Sequence, residues 1–82
     1  MRKRKNPMFQ AFGWNVRQLR NAKHWTQEVL AERADLDRSY IAGIEAGLRN
    51  PSLKSIASIA RALGTSLVHL FENVPATVEK KS

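Results

Sequence analysis

Apolar residues along this chain recur at helical rather than strand spacing. Phe12, Val16 and Leu19 stand at i, i+4 and i+7 on one helix face, with Arg17, Gln18 and Asn21 elsewhere around it, which predicts a first helix from Phe9 to Lys23. His24 and Trp25 separate it from Thr26, whose hydroxyl can cap a second helix carrying Val29, Leu30 and Ala34. The polar cluster near Asp35 interrupts the pattern, and Asp37 then offers an N-cap for a third helix from Arg38 to Ala46. Ile41 and Ile44 give that helix an inward edge, and Gly47 is placed to end it in a left-handed conformation. Ser52 caps a fourth helix with the apolar stripe Leu53, Ile56, Ala57, Ala60 and Leu63, closed by Gly64. Ser66 caps a short fifth helix containing Leu67, Leu70 and Phe71. No strand alternation competes, so the pattern predicts an all-α globule of five short helices.

A chain of 82 residues has room for one compact domain. We place it at residues 9–73, between a flexible basic N-terminal arm at 1–8 and a polar C-terminal tail at 74–82. With no cysteine, neither a disulfide framework nor a thiolate metal site can reinforce the core, and packing must hold it. No apolar run approaches the roughly 20 residues that cross a bilayer, and Asn6-Pro7 rather than an apolar segment follows the basic start. The expected location is therefore the cytoplasm.

Net charge is +7, which favours polyanions, but its distribution matters more than its sum. Arg2, Lys3, Arg4 and Lys5 contribute +4, whereas residues 26–50 set Arg33, Arg38 and Arg49 against Glu28, Glu32, Asp35, Asp37 and Glu45, a balance of −2. Bulk charge thus does not identify a binding surface. His24 and His69 are isolated, and no nucleophile, base and orienting group can be picked out, so no metal, cofactor, small-molecule ligand or enzymatic activity is expected.

From Gln27 to Glu45 the chain resembles the helix-turn-helix family of phage repressors and Xre-like regulators. The resemblance is carried by Thr26-Gln27-Glu28-Val29-Leu30-Ala31, a turn, and Ser39-Tyr40-Ile41-Ala42-Gly43-Ile44-Glu45. It continues through Gly47-Leu48-Arg49-Asn50-Pro51-Ser52-Leu53 to Leu63-Gly64-Thr65-Ser66-Leu67. The resemblance implies a five-helix, phage-repressor-like domain in which helices 2 and 3 form the motif and helix 3 enters the major groove of double-stranded DNA. Asp35 and His24 depart from the family by standing where glycine is usual, and both types tolerate left-handed geometry better than most.

The resemblance also assigns roles. Arg38 and Ser39, and one turn later Ala42 and Gly43, become base-contacting positions. Arg38 can donate a two-pronged bond to guanine O6 and N7; its alternative role is an ion pair with Asp35 or Asp37. Gly43, lacking a side chain, offers close backbone approach or a gap for a thymine methyl. Gln27, Tyr40, Arg49 and Asn50 become phosphate contacts, and Arg20 with Glu45 a scaffold ion pair joining helix 1 to the end of helix 3. One reading helix covers half a site, so a homodimer on a palindromic operator is implied, joined through helices 4 and 5 by residues such as Ile59, Leu67, Val68 and Phe71.

The run Leu36-Asp37-Arg38-Ser39-Tyr40-Ile41-Ala42-Gly43-Ile44-Glu45 followed by Arg49-Asn50 is most similar to the controller proteins of restriction-modification operons, which are transcriptional regulators. A phage-type repressor or an operator-binding antitoxin would share these residues. A helical protein-interaction module using Tyr40 and Leu48 is the alternative from another class.

Overall fold

The computed structural model describes residues 6–76, and within them five helices follow in order: α1 Pro7–Ala22, α2 Gln27–Ala34, α3 Arg38–Glu45, α4 Leu53–Leu63 and α5 Leu67–Leu70. The first helix begins two residues earlier than its apolar pattern predicts. The Asn6 carboxamide oxygen accepts hydrogen bonds from the backbone N–H groups of Met8 and Phe9 at 2.8 and 3.3 Å, and Pro7 occupies the first turn, where its missing N–H is harmless. The basic residues of the proposed arm, Arg2 to Lys5, and the end of the tail, 77–82, lie outside the described residues.

Thr26, Ser52 and Ser66 cap α2, α4 and α5 as their positions predict, each side-chain oxygen accepting from the N–H three residues on. Asp37 takes the extended N-cap backbone of α3 but makes no side-chain capping bond. Between the first three helices the chain reverses at His24 and Asp35, whose φ angles of 60° and 58° are left-handed.

The core sits where α1, α2, α3 and α4 meet, with α5 closing one end. Val16, Leu30, Ile41, Ile44, Ile59 and Leu70 are fully buried, each contributing roughly 1.5–3 kcal/mol by leaving water. The α4 stripe is rotated from the expected one. Ile56, Ile59, Ala60 and Leu63 face inward, at i, i+3, i+4 and i+7, whereas Leu53 is 75% exposed and Ala57 faces out. Choosing Ile59 as a member of the buried face forces Leu53 and Ala57 off it. Among the described residues, no helix is long and apolar enough to cross a membrane, and no group of acidic, histidine or cysteine side chains could hold a metal ion.

Candidate nucleic-acid interface

The helices α2 and α3 are joined by a three-residue turn and pack together, with Ala31 small and buried on α2. Asp35 terminates α2 in the left-handed region, and the Leu36 N–H closes the turn on the Ala31 carbonyl at 2.8 Å. Helix α3 is then held from behind by an ion pair. Arg20 of α1 donates from Nε to Glu45 Oε2 at 2.7 Å and from Nη2 to Oε1 at 2.9 Å, and from Nη1 to the Trp25 carbonyl at 2.6 Å. The hydrogen bond to Glu45 raises the Arg20 pKa above its usual range; burial opposes this and the carboxylate charge adds to it. The anticipated scaffold pair is therefore present, with both side chains nearly covered and Arg17 Nε a further 3.8 Å from Glu45 Oε1.

Gly13 makes that approach possible. A Cβ there would collide with the Ile44 carbonyl oxygen and stand 3.0 Å from Glu45 Cα, so α1 and the end of α3 touch backbone to backbone. The sequence held a signal for this, a glycine inside a helical stripe, that periodicity alone does not interpret.

On the outer side of α3, Arg38 and Ser39 are exposed at the first turn, with Ala42 and Gly43 half-buried one turn later. Among the described residues, Arg38 forms no ion pair with Asp35 or Asp37. Its guanidinium stands clear at the helix N-terminus, where the groove edge of a docked duplex would come.

Gly43 is not an open gap. The stem of Arg49 crosses it: a Cβ on Gly43 would stand 2.6 Å from Arg49 Cγ and 3.3 Å from Nε. The Arg49 guanidinium continues over the Tyr40 ring at 5.5 Å from its centroid, a cation–π contact. The loop residue thus lies on the face of α3 and supplies charge where the helix has no side chain. Asn50 is exposed beside it.

Tyr40 and Gln27, both assigned to phosphate, also bond within the domain. The Tyr40 hydroxyl accepts from the Ser52 N–H at 3.2 Å, at the start of α4. Burial pushes its pKa up, but hydrogen bonds with Ser55 and Ser52 and the Arg49 charge outweigh it, leaving the phenol below the ordinary 10.0. Gln27 donates one amide N–H to Glu45 Oε1 at 3.0 Å, which orients the side chain and leaves its second N–H for an outside acceptor. A cleft of about 480 Å³ runs between the turn and the loop, lined by Asp35, Asp37, Ser39, Tyr40 and Arg49 among others.

Leu67, Val68 and Phe71 present an apolar surface on α5, with Val68 83% exposed. Ile59, grouped with them from the sequence, is fully buried and belongs to the core, because it shares the inward face of α4 with Ile56 and Leu63. Asn15 escaped sequence reasoning. Its amide donates to the Leu70 and Glu72 carbonyls at 2.8 and 2.9 Å, capping the end of α5 from α1.

Residues 16–70 match the helix-turn-helix family. The control protein C.BamHI of Bacillus amyloliquefaciens is 52% identical over 54 residues, 65% of this chain and 67% of its own. The crystal structure of the restriction-modification controller protein C.AhdI from Aeromonas hydrophila superposes with a TM-score of 0.76 at 46% identity, covering 77% of this chain and 96% of that one. The controller protein C.Esp1396I, solved as a tetramer in complex with its natural 35 base-pair operator, gives a TM-score of 0.76 at 36% identity, covering 85% of this chain and 92% of its own.

Proposed function

The chain belongs to the helix-turn-helix family, and from that membership and its site geometry we propose that it is a sequence-specific transcriptional regulator of the controller type, acting on operator DNA in the cytoplasm. One observation carries this reading: Arg38 and Ser39 stand exposed at the first turn of α3, while the bidentate Arg20–Glu45 pair holds that helix rigidly from behind. A reading helix needs both properties, because base-edge hydrogen bonds discriminate only if the donor is held in register.

In this reading Arg38 and Ser39 contact base edges, with Ala42 leaving room for the groove floor. Gln27, Arg49 and Asn50 contact phosphates and fix orientation, and Tyr40 braces Arg49. Two copies associate through α4 and α5, using Leu67, Val68 and Phe71, so that two α3 helices meet successive turns of a palindromic site roughly 34–36 Å apart.

The test is binding to a duplex carrying the region upstream of the protein's own gene, against a scrambled duplex, over a salt series. Preference for the upstream duplex that persists as salt rises supports the regulator. Equal affinity for the two removes sequence specificity, and no binding to either at low salt points instead to a protein partner.

A further inference from the structure

Gln10, Trp14, Arg17 and Asn21 stand at i, i+4, i+7 and i+11 on α1, and all four are exposed. This row has no part in the core, and α1 contains no acidic residue. Trp14 is 56% exposed and stands beside Arg17, whose side chain is half exposed.

The row is continuous with the reading surface. A cleft of about 430 Å³ is lined by Gln10, Trp14 and Arg17 of α1, Gln27 at the start of α2, Ala42 on α3 and Ala46 just past its end. Glu45 at its floor has a side chain only 1% exposed, is hydrogen-bonded by Arg20 and Gln27 and lies 3.8 Å from Arg17 Nε, so its charge is covered and the cleft presents donors and an aromatic face to whatever fills it. Its walls are fixed in place. The Gly13 backbone touches α3, and Gly47, in left-handed geometry with φ 75°, sits so close to Gln10 that a Cβ would stand 2.6 Å from its Cγ.

Building on the reading of α3 given above, we infer that this ledge on α1 is a second seat for the DNA backbone. The Trp14 ring packs against deoxyribose, and the Arg17 guanidinium donates to the phosphate next to the one held by Gln27. The occupant is an anionic strand because Arg17, half exposed and paired with Glu45 only at the long distance of 3.8 Å, is the accessible charge on the ledge, and because a duplex met by Ala42 must carry its backbone past Gln27 and α1. The apolar surface for a second copy lies elsewhere: Phe71 stacks on Phe12 at 5.1 Å, and the hollow on α5 shares no residue with this cleft. The ledge therefore extends the DNA footprint to a helix that contributes nothing to base reading.

The full chain carrying Trp25→Phe leaves Trp14 as the sole indole, so its fluorescence and its quenching by acrylamide report the ledge alone. Binding of the upstream duplex should at least halve the quenching constant. Arg17→Gln should lower the slope of log affinity against log salt by about 0.9, the signature of one lost phosphate contact. Trp14→Ala should weaken upstream and scrambled duplexes by the same factor. Specific binding with Trp14 still fully quenchable and an unchanged salt slope in Arg17→Gln overturns the ledge while the regulator stands. Absence of duplex binding by the parent chain overturns both. Protection of Trp14 that grows with protein concentration in the absence of DNA assigns the ledge to a protein contact and overturns the proposal.

Discussion

The stem of Arg49 occupies the space that a side chain on Gly43 would need, with Cγ 2.6 Å from the position of a Cβ. Gly43→Ala therefore sets two effects against each other. Helix propensity gains about 1 kcal/mol, while Arg49 is pushed off α3 and away from Tyr40. We expect a melting temperature near that of the parent and a loss of operator affinity of about tenfold, comparable to one charge-assisted hydrogen bond. Fluorescence anisotropy checks it, and in an Arg49→Ala background the same substitution should have no further effect on binding.

Arg20→Ala should destabilise the domain by about 3 kcal/mol, since it leaves the buried Glu45 carboxylate with only the Gln27 amide and the more distant Arg17. Arg20→Lys should recover only part of this, because an ammonium cannot bond both carboxylate oxygens and the Trp25 carbonyl in the same fork geometry. Urea unfolding at neutral pH measures both.

Arg38→Ala and Gln27→Ala should differ in kind. The first should erase discrimination at one base pair of each half-site, worth roughly 1–3 kcal/mol, and the second should weaken all duplexes alike. Competition against a panel of single-base operator variants separates the two patterns.

Tyr40 is the chain's sole tyrosine, so its ionisation can be followed directly by ultraviolet absorbance. It should titrate below 10.0, and Arg49→Ala should move it upward by removing a neighbouring cation. The linkage has a definite sign. A depressed folded pKa stabilises the fold above the unfolded pKa, and that gain is lost as pH falls through the folded value, so Tyr40 adds a rise in stability only in the alkaline range. A phosphate that draws Arg49 away should also raise the pKa, visible on adding operator duplex.

Val68→Glu places a charge on the most exposed part of the α5 surface. In the proposed dimer this should weaken self-association at least about tenfold while leaving the monomer fold intact. Sedimentation equilibrium and circular dichroism together read the two effects.

Helices α2, α4 and α5 were legible because they carry their own punctuation: Thr26, Ser52 and Ser66 at the starts, Gly64 and the left-handed Asp35 at the ends. The start of α1 was not, because Asn6-Pro7 reads equally well as the close of a flexible segment until the carboxamide is seen to cap two N–H groups. The face of α4 was misjudged because Leu53 and Ala57 satisfy helical spacing as well as Ile59 does, and periodicity alone cannot choose between overlapping stripes. At the site, the family motif indicated Arg38, Ser39 and the Arg20–Glu45 pair. It could not reveal that Arg49 lies across Gly43, or that Gly13 and Gln10 fix a ledge on α1, because those contacts join residues with no shared local pattern.

A helix of four residues has too few internal hydrogen bonds to keep its own orientation, and α5 borrows it from Asn15. In the two-fold pair proposed above, that carboxamide, with the Phe71–Phe12 contact and the buried Leu70, ties the symmetry axis to α1 and through the Gly13 contact to α3. The separation of the two reading helices would then be set by contacts remote from any base.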